Sequence, residues 1–138
     1  MQPKFYYQLE NFYANHRNFV KSRNYKQLRG YLLSGGDIGS TCDPVLTMGS
    51  LGSSIPKVAL DGTPLAVDAV AFPCGLIAKY FFNDTYIMAD QLGNHVPIDE
   101  TNIAHSVDKQ YKFEMPSVTS PNSVAWLNIT NEHVMVWY

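Results

Sequence analysis

The stretch that decides the fold class is CGLIAKYFF, which runs from Cys74 to Phe82 in the middle of the chain. It is the first of four short strand-like runs, and the other three follow at residues 86–91, 109–114 and 133–138. Asparagine, aspartate, glycine and proline residues, which favour turns, separate these runs. The pattern predicts that the second half of the chain is antiparallel β-structure, so the predicted fold class is mainly β.

The N-terminal segment carries a helical signal. Residues 5–9 are rich in aromatic strand formers, and Asn11 lies where an N-cap would accept a hydrogen bond from a backbone amide. A set of residues then recurs at three- and four-residue spacing: Leu9, Phe12, Tyr13, His16, Phe19 and Val20. The spacing predicts an N-terminal amphipathic helix over residues 12–23. Its aromatic face, together with Tyr6, is expected to pack on the sheet.

Between the helix and the strand-like runs, the chain changes character. Residues 34–64 contain six glycines and three prolines among many serines, which predicts loop structure. The whole chain has 138 residues and is 46% hydrophobic, which is enough apolar material for one core. We therefore expect residues 1–138 to form a single domain.

Charge and hydropathy exclude several classes of protein. The formal net charge is −2, so nucleic-acid binding through phosphate neutralisation is not expected. The longest apolar stretch, residues 65–72, is short and contains Asp68, so it does not predict a membrane span. The first 30 residues contain six basic residues and one acidic residue, whereas the remainder contains four and eleven. This asymmetry fits an interaction face or an end that lies near a membrane, and it fits a solvated basic helix face equally well.

No motif for catalysis or metal binding stands out. The chain has no Gly-x-Ser-x-Gly elbow, and its four histidines lack the spacing of a zinc site. The glycine-rich residues 35–40 lack the lysine of a phosphate-binding loop. We therefore predict no enzymatic activity, no metal and no cofactor. A small hydrolase stays open only if polar residues distant in the sequence converge in a pocket.

Two cysteines and two Asn-x-Thr sequons bear on the compartment. Cys42 and Cys74 are the only cysteines, and the sequons begin at Asn83 and Asn128. Together these features favour a lumenal or extracellular setting, although two free buried cysteines would also fit a cytosolic domain.

Several strings are more specific than composition. They are YYQLENFYANHR at residues 6–17, VKSR at 20–23, PCGLIA at 73–78, FNDT at 82–85, and the run from NEH at 131–133 to VW at 136–137. In this order they resemble the ectodomain of the cell division control protein 50 family, also called the ligand-effect modulator family. Members of that family are the beta subunits of fourth-class P-type ATPases that translocate lipids.

The resemblance implies a fold and a function. It implies an antiparallel β-sandwich-like ectodomain, taken from a larger two-pass membrane protein whose transmembrane helices are not in this sequence. The chain would be a non-catalytic subunit that supports the folding, exit from the endoplasmic reticulum, localisation and flippase activity of a catalytic alpha subunit. The membrane would be that of the endoplasmic reticulum, Golgi, endosome or cell surface, with this domain on the lumenal or extracellular side. The alternative is a secreted or surface β-sandwich module for adhesion or binding.

The resemblance also implies roles for individual residues. Cys42 and Cys74 match a bridged pair, and Asn83 matches a glycosylated site, while Asn128 carries a sequon of its own. The chain departs from the family after PCGLIA, where the usual Asn-Ser is replaced by Lys79-Tyr80. The candidates for the interface with the ATPase are Arg17, Lys21, Arg23, Lys79 and Tyr80.

Overall fold

Short helices joined by long irregular segments make up most of the structure, which is a computed structural model describing residues 4–11 and 13–138. The helices are α1 Arg17–Lys21, α2 Tyr25–Leu28, α3 Gly35–Cys42, α4 Leu76–Lys79, α5 Ser106–Tyr111 and α6 Glu132–Trp137. Two 3₁₀ turns span Gly49–Leu51 and Pro121–Ser123. The described residues form one regular sheet, in which β1 Met88–Ala89 pairs antiparallel with β2 His95–Val96.

The predicted mainly-β, sandwich-like fold class is therefore wrong. Of the four strand-like runs, only residues 86–91 contribute a strand, and the other three contain α4, the second half of α5 and most of α6. Local capping favours helix in two of these places. The Nδ1 of His105 accepts a hydrogen bond from the Val107 amide at 3.2 Å, and the Oδ1 of Asn131 accepts one from the His133 amide at 2.9 Å. Short apolar runs fit helix and strand equally well, so such caps decide the outcome.

The predicted N-terminal helix forms only in its last part. Asn11 has a left-handed backbone with φ of 57°, and it does not cap a helix. His16 caps α1 instead, because its Nδ1 accepts a hydrogen bond from the Asn18 amide at 3.3 Å. Asn24 then caps α2, so the direction of the chain changes between two short helices.

The predicted packing of the aromatic face is also largely wrong. Tyr6 and Tyr13 are 80% and 81% exposed, and Leu9 is exposed as well. Phe19 is half-buried, and Phe12 lies outside the described residues. Without a continuous helix, these side chains no longer share one face.

The glycine-rich segment contains a helix that its composition conceals. Ser34 and Asp37 form a capping box at the start of α3, in which the Asp37 carboxylate accepts hydrogen bonds from the Ser34 amide at 3.1 Å and hydroxyl at 2.6 Å. These bonds lower the pKa of Asp37. The helix buries Ile38 and Cys42, so its far end carries one of the two cysteines into the core.

Two apolar clusters form the core. The first surrounds α6 and contains Leu28, Phe72, Ala104, Phe113, Ala125, Ile129, Val134 and Met135. The second surrounds α3 and contains Ile38, Cys42, Val45, Met48, Leu51, Ala71 and Cys74. The stretch from Ala71 to Cys74 contributes to both clusters and therefore lies between them. Across the residues described, no helix is both long and apolar enough to cross a membrane.

Candidate partner interface

A buried disulfide anchors the central part of the structure. It joins Cys42, at the end of α3, to Cys74, whose Cα lies 5.7 Å from that of Cys42. Both cysteines are almost completely buried within the second cluster. The bridge closes a loop between residues 32 positions apart, so it holds the glycine-rich segment against the PCGLIA string. Neither sulfur is available as a thiol nucleophile.

Ser22 ties the segment after α1 to both sides of this disulfide. Its Oγ lies 3.0 Å from the backbone oxygen of Cys42 and 2.9 Å from that of Asp43, and shares its proton with these acceptors. The same Oγ accepts a hydrogen bond from the Leu76 amide at 2.8 Å. The chains meet closely here, because a Cβ added to Gly75 would lie 2.1 Å from the Ser22 backbone oxygen.

Gln27 satisfies the backbone on the other side of the same stretch. Its Nε2 donates to the Ala71 oxygen at 3.0 Å, and its Oε1 accepts from the Cys74 amide at 2.9 Å. The indole of Trp126 donates to the Pro73 oxygen at 2.8 Å. The PCGLIA string is therefore structural: its buried backbone groups are paired by side chains from distant parts of the chain.

A ladder of aromatic rings connects the N-terminal segment, α1, the end of α4 and α6. The rings are, in order, Tyr86, Tyr7, Phe82, Trp137, Phe19 and Tyr80, with successive centroids 4.6, 6.1, 6.3, 6.5 and 6.2 Å apart. We call this set the aromatic ladder. Its middle rings are half-buried, whereas Tyr7 and Tyr80 are 51% and 57% exposed. Tyr86, at the opposite end of the ladder from Tyr80, is 38% exposed. These exposed rings offer rigid apolar area of the kind that anchors protein–protein contacts.

Trp137 holds the middle of the ladder in place. Its Nε1 donates a hydrogen bond to the backbone oxygen of Ile77 at 2.7 Å, which fixes α6 against α4. Helix α1 packs against α4 as well, and the Phe19 ring lies between those of Trp137 and Tyr80. The aromatic ladder therefore rests on three helices.

The structure separates the predicted interface residues into two groups. Arg17 and Lys21 are exposed on α1 and form no salt bridge with any described residue. They lie on α1, which also carries Phe19 of the aromatic ladder, and α1 packs on α4, whose C-cap is Tyr80. Arg23 and Lys79, in contrast, are half-buried.

Internal contacts account for these two half-buried cations. Arg23 donates to the backbone oxygen of Tyr138, and its guanidinium lies 5.0 Å above the Tyr25 ring. Lys79 donates to the Ser50 backbone oxygen at 3.0 Å. Both side chains therefore make contacts that stabilise the fold.

Both sequon asparagines lie on the surface. Asn83 is exposed and directly follows Phe82 of the aromatic ladder. Asn128 is exposed too, and its Oδ1 accepts hydrogen bonds from the Thr130 amide at 3.0 Å and hydroxyl at 2.7 Å. Ile129, which lies between Asn128 and Thr130, is fully buried in the first cluster. The second sequon therefore packs against that cluster.

The histidines have structural surroundings. His16 and His105 cap α1 and α5, and the Nε2 of His133 lies 3.2 Å from a Glu100 carboxylate oxygen. Among residues 4–11 and 13–138, no three His, Cys, Asp or Glu side chains gather in a way that could hold a metal ion.

The sequence reasoning missed most of the aromatic ladder and the two polar residues that hold the PCGLIA string. Tyr7 and Phe82 occur in strings that carried the family resemblance, and Ser22 occurs in the VKSR string. Nothing local in the sequence reveals that their partners lie tens of residues away.

Comparisons with known proteins agree with the resemblance. The model of the LEM3 (ligand-effect modulator 3) family / CDC50 family matches residues 2–137. The chain is 40% identical over 89 residues to the phospholipid-transporting ATPase accessory subunit CDC50 of Chaetomium thermophilum, covering 62% of this chain and 18% of that protein.

Proteins of two other organisms are also similar to this chain. Identity to ALA-interacting subunit 3 of Arabidopsis thaliana is 38% over 108 residues, or 78% of this chain and 25% of that protein. Identity to cell cycle control protein 50A of Bos taurus is 36% over 121 residues, or 84% of this chain and 28% of that protein. The chain thus spans about a quarter of the length of such relatives. Because the family model matches nearly every residue, the chain belongs to the LEM3/CDC50 family.

Proposed function

We propose that this chain is part of a non-catalytic accessory subunit of a phospholipid-transporting P-type ATPase. Family membership supports this proposal, as do relatives named accessory subunits of phospholipid-transporting ATPases. ATP hydrolysis and lipid movement belong to the catalytic subunit, and this chain contributes binding energy that stabilises and escorts it. Residues 1–138 form part of one lumenal or extracellular domain of a longer membrane-anchored polypeptide.

The single observation that carries the proposal is the aromatic ladder, which includes a ring from α1, a helix that also carries two exposed cations. Exposed aromatic rings on a helical base supply anchors, and such anchors dominate affinity at protein interfaces. Arg17 and Lys21, which are exposed on the helix that carries Phe19, act as rim charges, and such charges mainly accelerate association and make it sensitive to salt.

The chemistry of the core and surface supports an assignment of the compartment. A buried disulfide between Cys42 and Cys74 persists in an oxidising compartment, and exposed sequons at Asn83 and Asn128 are accessible to glycosylation. We therefore propose that both asparagines carry glycans and that the domain faces the lumen or the cell exterior. The host membrane is that of the endoplasmic reticulum, Golgi, endosome or cell surface.

Affinity capture of the full-length parent protein from its own membranes tests the proposal. We expect a large P-type ATPase to co-purify in stoichiometric amount, and its ATPase activity to depend on the captured subunit. Capture of a soluble ligand or a cell-surface glycan in place of an ATPase would contradict it and favour an adhesion module. Mass mapping of the same sample reports the disulfide and the occupancy of each sequon.

A further inference from the structure

A groove lies on a part of the surface that the aromatic ladder does not use. Its walls are aliphatic and aromatic, with one polar residue, Gln27; the apolar residues that line it include Leu32, Leu33, Leu65, Val70 and Phe72. Both polar ends of the Gln27 side chain are already paired, with Ala71 and Cys74. The groove therefore presents an apolar surface, which favours binding of an apolar group.

A basic and aromatic rim continues from the groove at Leu33. The rim is lined by Tyr25, Lys26, Arg29 and Tyr31 as well as Leu33 itself. Lys26 and Arg29 are three residues apart on α2 and its C-cap, so they lie on the same side of the helix. Both tyrosines are about 60% exposed.

The two rim cations are not neutralised within the described structure. Neither of them forms one of the salt bridges found there. Asp37 is close enough for Lys26 to contribute slightly to its lowered pKa, but its carboxylate is occupied by the Ser34 amide and hydroxyl. An apolar groove thus opens beside positive charge that has no carboxylate bound to it.

We infer that this surface docks a segment of the catalytic ATPase subunit, with one aliphatic or aromatic side chain in the groove and adjacent carboxylates on Lys26 and Arg29. The inference rests on the proposed function and adds a second contact, separate from the aromatic ladder. Charge complementarity selects an acidic segment, because the rim is positive and otherwise unpaired. The tyrosines on the rim supply rigid contact area around the anchor.

The groove and its rim differ in size and in lining. The groove has a volume of about 190 Å³ and apolar walls, whereas the open rim beside it has a volume of about 460 Å³ and is lined by cations and tyrosines. A peptide segment that carries an apolar side chain next to carboxylates matches both parts of this surface.

Charge reversal in the full-length parent protein, co-expressed with its catalytic ATPase, tests this inference. We expect the Lys26→Glu, Arg29→Glu double variant to lower the amount of captured ATPase about tenfold at low salt. We expect Leu32→Ser, which changes a half-exposed wall of the groove, to lower the amount of captured ATPase too.

Two control variants accompany these tests. The variant Lys26→Arg with Arg29→Lys retains the charge and should assemble like the wild type. Lys112→Glu, an exposed cation paired only with Asp108, is the matched control and should have no effect.

Zero-length carbodiimide cross-linking of the wild-type complex gives a second readout that does not depend on the folding of a variant. We expect Lys26 to couple to an aspartate or glutamate of the ATPase. Coupling of Lys26 only to its own polypeptide or to a second copy would overturn the inference, and so would normal capture by the reversal variant. If the wild type captures no ATPase at all, the proposed function itself fails, so the two failures are distinguishable.

Discussion

At the scale of single residues, the close approach of Gly75 to Ser22 is the tightest constraint in the structure. Gly75 has φ of +101°, and an added Cβ would lie 2.1 Å from the Ser22 backbone oxygen. Since backbone forms the obstacle, no side-chain movement relieves it. Gly62 provides a matched control, because its φ is also positive, at +84°, but an added Cβ would meet no atom within 4 Å.

We therefore expect Gly75→Ala to destabilise the chain much more than Gly62→Ala. The control should cost about 1 to 2 kcal/mol, which is the strain of a left-handed alanine. The Gly75 variant should lose more than about 4 kcal/mol, since strain and steric overlap add and the Ser22 contacts break. Urea unfolding of protein from a secretory host measures both. Equal losses in the two variants would show that the backbones do not approach so closely.

Glu132 links α6 to the segment before α5. Its Oε2 accepts a hydrogen bond from the Ala104 amide at 2.9 Å, and its Oε1 lies 3.1 Å from the Lys109 ammonium. The Ala104 bond is the main reason that the pKa of Glu132 lies below its ordinary value of 4.5, and Lys109 adds to the effect. A carboxyl whose pKa is lowered by folding stabilises the protein above its unfolded pKa and loses that contribution as pH falls through the folded pKa.

The Glu132→Gln variant should therefore be less stable than the wild type at pH 7. The difference in melting temperature should narrow as the pH falls below 4.5, because the wild-type carboxylate then becomes protonated. Thermal unfolding between about pH 3 and about pH 7 measures this difference, because carboxylates titrate within that range. A difference that stays constant over this range would mean that the charge of Glu132 is unimportant.

The sequence allows prediction of single residues only where their chemistry is local. A sequon and a cysteine are recognisable from one position, so Asn83, Cys42 and Cys74 could be singled out. The role of Gln27 could not, because its partners Ala71 and Cys74 are more than 40 residues away. Arg23 shows the opposite error: it looked like a surface charge, and its partner is the backbone of Tyr138.

At the scale of elements, capping outweighs strand propensity in this chain. Residues 106–111 and 132–137 are helical because His105 and Asn131 supply side-chain acceptors for the first free amides. Apolar periodicity over such short runs does not distinguish helix from strand. The capping box of α3 was overlooked for a related reason: its three glycines suggested a loop, whereas Ser34 and Asp37 mark a helix start.

The disulfide holds two of these short elements together, so its removal should be costly. We expect the Cys42→Ser, Cys74→Ser double variant to lose roughly 3 to 4 kcal/mol of unfolding free energy, mainly through greater entropy of the unfolded chain. Urea unfolding of oxidised wild type, reduced wild type and the variant measures this. The reduced wild type should match the variant to within the cost of two buried hydroxyls. An unchanged urea midpoint after reduction would contradict the prediction.

At the scale of the whole molecule, positive charge and aromatic surface gather on the N-terminal part of the chain. The structure divides five of the six basic residues of this part by role. Arg17 and Lys21 are exposed on α1, which carries Phe19 of the aromatic ladder, and Lys26 and Arg29 line the rim beside the groove. Arg23, which lies between these two pairs in the sequence, makes its contacts within the fold, with Tyr138 and Tyr25. Reversing Arg23 would therefore damage the fold, and an interface test should leave it unchanged.

The aromatic ladder and its rim should respond differently to mutation in the assembled complex. We expect the Arg17→Glu, Lys21→Glu double variant to slow association with the ATPase by several-fold at low salt and to change dissociation little, because rim charges act mainly on encounter. Tyr80→Ala should instead accelerate dissociation, since it removes a 57% exposed anchor at the end of the ladder.

Binding kinetics of the full-length subunits in detergent separate these effects, with Lys112→Glu as the control for an exposed cation elsewhere. High salt should remove most of the difference between the rim variant and the wild type, because exposed charges are screened beyond about 10 Å at 0.1 M ionic strength. The Tyr80 effect should persist at high salt, as apolar contact does not depend on charge. If both variants assemble like the wild type at low salt, the ladder is a structural surface, and the groove beside Lys26 and Arg29 becomes the only contact predicted for this chain.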